Sequence, residues 1–222
     1  MTEGHPLWDR PVRYIHWLIL VLLPVCWFTA EFGYLEYHQW AGYAILIAVL
    51  TRMVWGIIGS PQARFSDFLR GPGAVLGYLR GTQKARTPGH NPAGGWSAIA
   101  LWLLLLIQAL SGTVNTDDIV FTGPFHYVFE SETTEKISAL HDWVFNVLLG
   151  FIALHLVAIF YHERVKGHRL LRPMVYGSAP DRVGTGPAKP AYRAIVLALI
   201  LAASLWGLME LAPVPPPSDF FW

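Results

Sequence analysis

The sequence predicts an all-α integral membrane protein, a four-helix transmembrane bundle followed by a fifth, C-terminal transmembrane helix. Three observations predict it. Of 222 residues, 54% are hydrophobic and 14% charged, and mean hydropathy is +0.39, too apolar for a soluble domain. The apolar residues gather in five blocks, each long enough to cross a hydrocarbon core of about 30 Å. The basic residues fall almost entirely on alternate loops, as membrane topology demands.

The first block, 14–33, contains Pro24, which bends a membrane helix without ending it. The residues before it lack a basic leader and a small-residue cleavage site, so this block reads as a retained helix and not a removed signal. The second block is 39–60. Next, FSDFLRGPGAVLGYLRG (65–81) mixes apolar residues with Arg70 and Arg80 and reads as an interfacial segment. The third block, 96–114, has no histidine and completes the four-helix bundle, with Gln108 and Ser111 available to a neighbouring helix or a cofactor edge. The fourth is 141–162. Residues 177–190, rich in Gly, Pro and charge, form a linker to the fifth block, 191–212, which stops at a Pro-rich tail. The domain division is thus 6–177 for the bundle and 178–222 for linker, fifth helix and tail.

Charge sets the orientation. Arg10 and Arg13 precede the first block; Arg64, Arg70, Arg80, Lys84 and Arg86 follow the second; Arg164, Lys166, Arg169, Arg172, Arg182, Lys189 and Arg193 lie between the fourth and fifth. Only Lys136 lies on the other side, and Arg52 is inside the second block. The positive-inside rule places the N-terminus and both basic loops in the cytoplasm and the C-terminus outside. The far side carries Glu31, Glu36, Asp117, Asp118, Glu130, Glu132, Glu135, Asp142, Glu210 and Asp219. That acidic face suits a basic soluble partner, with an attraction that salt weakens; the alternative is acidic outer loops that are merely tolerated, since acidic residues contribute little to topology.

A single cysteine, Cys26, excludes an internal disulfide, a zinc finger and an iron–sulfur cluster. No C-x-x-C-H, phosphate-binding glycine loop or hydrolytic triad is present.

Histidine carries the chemistry. His16, His38, His141 and His155 sit near the ends of the blocks. His141 and His155 share the fourth block, fourteen residues apart, which is about 21 Å along a helix and most of a bilayer core. Fourteen steps of about 100° bring the two rings to the same face. Topology puts His38 and His141 at the outer side and His16 and His155 at the inner side, which defines two pairs. Each pair suits one iron gripped from both axial positions, and the arrangement suits two stacked haems. Singly, His16 beside Trp17 and His38 near Trp40 would pass as interfacial belt residues; agreement in depth favours ligands. Such iron keeps no open position, so oxygen activation is not expected. Arg52, fourteen residues after His38, lies at the depth of His155, where a haem propionate would match its charge; snorkelling to headgroups is the alternative. Gly42, Gly56 and Gly150 admit either a flat macrocycle or close helix packing. His126, in the outer loop with Asp117 and Asp118, reads as a loop residue, with acceptance of protons from a quinol as its alternative. His162 reads as interfacial, with a propionate or quinone contact as its alternative. His5, His90 and His168 receive no role.

The strings WDRPVRYIHW, YHQWAGYAILIAVLTRMVWGIIGS, HNPAGGWS, the His-x13-His fourth helix and RPMVYG resemble the prokaryotic cytochrome b561 family over residues 6–177. The hydrogenase b-type cytochrome subunits are related. The resemblance implies two haems b, axial ligands at His16, His38, His141 and His155, the family arginine at Arg52, and residence in the bacterial inner membrane. It implies electron transfer between a membrane quinol and another redox centre; ubiquinone or menaquinone is the expected exchangeable substrate, and the acidic outer face makes a periplasmic cytochrome c the expected partner. Whether the chain is a carrier or a quinol-dependent oxidoreductase, and whether it forms a homodimer, stays open. The alternative is the membrane anchor of a larger oxidoreductase such as a hydrogenase. A haem-free transporter ranks last, because the blocks hold no paired mid-membrane carboxylates. The fifth block lies beyond the resemblance.

Overall fold

The computed structural model describes residues 5–82, 89–117, 119 and 121–213. Lys84, Arg86, Asp118, Asp219 and the tail after Pro213 lie outside them. Among the described residues the regular structure is helical apart from one isolated bridge, Thr116 to Thr122. Five helices are long and apolar enough to cross a membrane: α1 (Arg10–Glu31), α2 (Leu35–Ile58), α5 (Pro92–Gly112), α6 (Ser131–Arg164) and α8 (Tyr192–Glu210). Three short helices, α3 (Phe65–Phe68), α4 (Pro72–Leu79) and α7 (Leu171–Tyr176), lie between them.

Local chemistry explains the starts. The Asp9 carboxylate accepts from Val12 N at 3.0 Å and caps α1, with Pro11 in the first turn. Its other oxygen accepts from Trp55 Nε1 at 2.8 Å, so the cap also ties α1 to the far end of α2. Helix α1 runs unbroken through Pro24. It closes on Gly33, whose φ of +74° suits a residue without a side chain. That short turn folds α2 back against α1. Asn91 caps α5 by accepting from Gly94 N at 2.7 Å, with Pro92 at its first position.

Helix α2 is the centre. Of its apolar stretch 56% is buried within the protein, against 6% for α8. It packs against α1, α5 and α8, while α6 packs against α5. The core between them joins Ile15 and Ile19 of α1, Ile45, Ala48 and Val49 of α2, Leu105 of α5 and Leu148 of α6.

Three readings are refined. Helix α6 begins at Ser131, ten residues before the expected span, because SETTEKISAL continues the helix as a polar extension. An i,i+4 contact from Lys136 to Glu132 at 2.6 Å and a buried Thr134 support it. Within the 65–81 segment α3 and α4 form an elbow, and α4 packs on α5 while Leu76 and Leu79 stay exposed. Gly56 serves packing and not a macrocycle, since a Cβ there would collide with the Phe65 ring. Gly56→Ala is therefore expected to cost about 1–3 kcal/mol through overpacking. Gly207→Ala on α8, with nothing within 4 Å of the added carbon, is expected to be neutral. Thermal denaturation of both variants in detergent checks the contrast.

The linker after α7 is anchored along its path. Gly184 N donates to His5 O at 2.9 Å, and Lys189 N donates to Ser60 Oγ at 2.9 Å. Residues Leu7, Trp8, Val12, Trp55, Ala63 and Ala194 form a second core where these segments meet.

Candidate functional site

Helices α1 and α5 run from the end that bears the basic loops to the end that bears the acidic residues, and α2 and α6 run back. His38 and His141 therefore meet at the acidic end. Their ring centres are 6.3 Å apart and the planes nearly perpendicular, at 82°. Imidazole is the commonest protein metal ligand, and two rings at this spacing suit one metal ion held between them. Each ring is steered through Nδ1. The His38 Nδ1 donates to Cys26 O across to α1 at 2.8 Å. The His141 Nδ1 donates to Gln108 O on α5 at 3.0 Å, beside Ser111 Oγ at 3.0 Å. An imidazole that donates from Nδ1 offers Nε2 as its basic atom. The Gln108 side-chain amide stands 3.0 Å from His141 Nε2. Gly112 admits the His141 ring, because a Cβ at 112 would lie 2.9 Å from its Cε1.

His16 and His155 lie at the basic end, near enough for the His155 charge to act on His16. The His16 Nδ1 is buried without a hydrogen-bond partner. Arg52 belongs to the same region. It is 2% exposed, so it does not snorkel. Its guanidinium stands over Phe65 at 5.1 Å and Trp102 at 5.6 Å. Its Nε and one Nη are buried with no hydrogen-bond partner.

Three residues escaped the sequence reading. Asp9 is the acid whose charge acts on Arg52, but both its oxygens already serve Val12 and Trp55. His90, just before the Asn91 cap, sits between Trp8 and Phe68, with ring centres 4.8 and 4.7 Å away. Burial drives its imidazole down to about 3, and the Arg52 and His155 charges push the same way, so the ring is neutral at physiological pH. The third is Gly112. The strings WDRP and HNPAGG held the first two in view, but neither shows its long-range neighbours.

The other histidines have local partners. His126 Nδ1 faces Val114 O at 3.3 Å. His162 and His168 stack at the end of α6, Nδ1 to Nδ1 at 3.2 Å. The RPMVYG string forms α7 and its end. Arg13 and Trp17, which flank His16, grip the last carbonyls of α7: Arg13 Nε and Trp17 Nε1 reach Met174 O at 3.2 and 3.1 Å, and a second Arg13 nitrogen reaches Val175 O.

The family model for prokaryotic cytochrome b561 matches residues 7–177. The chain belongs to the prokaryotic cytochrome b561 family. Its α1, α2, α5 and α6 all fall within the matched stretch, and α8 falls outside it. No curated protein and no solved structure matches the chain. Membership makes it a multi-pass membrane b-type cytochrome that takes part in electron transfer, with haem b as its group and redox proteins as its class of partner. The residues of this cytochrome b561 family member fit that group. Helix α6 has its close helix neighbour in α5, while its two histidines face α1 and α2. Gly42 on α2 and Gly150 on α6 have nothing within 4 Å of an added Cβ, so a flat ring would meet no side chain at either. The unpaired donors of Arg52 suit an acidic substituent of that ring.

Proposed function

We propose that this chain holds two haems b and passes electrons across the bacterial inner membrane between the quinone pool and a redox partner. His38 and His141 would hold one iron, and His16 and His155 the other. The observation that carries the reading is the facing pair at the acidic end, with both Nδ1 atoms tied to backbone carbonyls. Haem supplies one-electron exchange between ferric and ferrous iron. The chain's own residues do the rest. Cys26 O and Gln108 O fix ring tautomer and direction, and the Gln108 amide yields His141 Nε2 to the metal. With two imidazoles for each iron, the chain would leave no position open to small ligands. Arg52 would supply a buried cation for a propionate.

Orientation follows the basic loops, with the N-terminus cytoplasmic and the C-terminus periplasmic. At the acidic end Glu31, Glu36, Asp117, Glu130, Glu132, Glu135 and Asp142 are all exposed. They favour a basic partner, for which a periplasmic cytochrome c is the fitting class. The purified protein is expected to carry two haems per chain, to be reduced by ubiquinol or menaquinol analogues, and to pass electrons to a basic cytochrome c at a rate that falls steeply with salt. A reduced-minus-oxidised spectrum with haem quantitation decides it. One haem, or none, overturns the pairing; a salt-independent rate overturns the docking face.

A further inference from the structure

We infer that His162 and His168 form an exchangeable site for a divalent transition-metal ion such as zinc, at the basic end of the protein and separate from the four paired histidines. The two imidazoles face each other through Nδ1, 3.2 Å apart, with their planes 20° from parallel. Nitrogens about 2.0–2.1 Å from a tetrahedral zinc stand about 3.3 Å apart. The pair thus has the spacing of two ligands on one metal. It also has the spacing of one hydrogen bond, and binding needs only that both rings carry their hydrogen on Nε2. His162 is half-buried and His168 exposed, so the rings are free to tilt their lone pairs toward a shared ion, and water can complete its shell.

The backbone brings the second ring to the first. Helix α6 ends at Arg164, and Val165 N and Lys166 N both donate to Tyr161 O, at 2.8 and 3.1 Å. Gly167 then takes a φ of +68°, which turns the chain back. His168 N donates to His162 O at 2.9 Å and closes the loop. Beyond it the Glu163 carboxylate accepts from Leu170 N and Leu171 N, at 2.5 and 2.6 Å, and fixes the exit toward α7. The two ligands are therefore positioned before an ion arrives, which lowers the ordering cost of binding. A bound ion clips the end of α6 to the segment that enters α7.

The surroundings set the class of ion. Arg164, Lys166 and Arg169 lie beside the pair in sequence, so general charge opposes a cation and only bonding to nitrogen favours it. Imidazole suits zinc and copper(II), whereas magnesium and calcium take oxygen ligands. Among the described residues no group of three His, Cys, Asp or Glu side chains gathers to hold a metal. Two imidazoles are then the protein's whole contribution, and the ion exchanges.

The test uses the untagged, haem-loaded chain in detergent, stripped with a chelator and titrated calorimetrically with zinc chloride. His162→Gln and His168→Gln are each expected to weaken binding of one zinc by about tenfold or more, with haem content unchanged. Magnesium chloride is expected to give no binding heat. Zinc X-ray absorption of the native chain is expected to show two imidazole nitrogens. No saturable zinc binding, or binding that either substitution leaves unchanged, would overturn the inference and leave the pair as a hydrogen bond. A zinc shell with fewer than two imidazoles would overturn it whatever the variants do.

Discussion

His141→Ala is expected to remove one haem of two and leave the other in place. His38→Ala should do the same, and the double variant should lose no more than either single one. Two ligands of one iron act as a unit, so their effects are non-additive. Combining His141→Ala with His155→Ala, by contrast, should empty the protein, because these two residues belong to different pairs on one helix. Pyridine haemochrome quantitation per chain reads all four cases. The result against the pairing would be one haem retained in the His141→Ala, His155→Ala chain, or additive loss in the His38, His141 pair. The 6.3 Å separation makes the acidic-end pair the sharper case.

Asp9→Ala should have the largest effect on stability of any change outside the histidines. Asp9 is 1% exposed and does three things at once. Its loss removes the α1 cap, worth about 1 kcal/mol. It leaves Trp55 Nε1 buried without an acceptor, at about 1–3 kcal/mol. It also takes away the negative charge nearest to the buried Arg52. A loss of about 2–4 kcal/mol is expected from the first two alone. Asp9→Asn keeps an acceptor for the Trp55 donor and should fall between the variant and the native chain. Thermal release of haem, followed in the Soret band, orders the three proteins. If Asp9→Ala melts with the native chain, the tie between α1 and α2 is not structural.

Much of this arrangement is legible in the sequence because helix geometry is rigid. Fourteen residues carry a ring across most of a bilayer and return it to the same face, so His141 and His155 report depth and direction together. Alternating basic loops then give every span its sense. Helix ends are legible where a cap is present. The first helix begins at Arg10, four residues ahead of the first apolar residue counted, because Asp9 and Pro11 start it on the polar side. What escapes is long-range and side-chain specific. The burial of His90 depends on Trp8 and Phe68 arriving from two distant segments. The role of Gly56 depends on the elbow returning Phe65 to α2. The polar start of α6 looks like a loop by composition and is a helix by continuity with the apolar stretch behind it.

Each facing pair takes one member from α6, and α6 is the fourth of the long helices to leave the ribosome. Residues 1–130 contain half of each pair and nothing more. On the paired-ligand reading, neither iron site gains its second imidazole until α6 has been made. Both second imidazoles then arrive together on one helix.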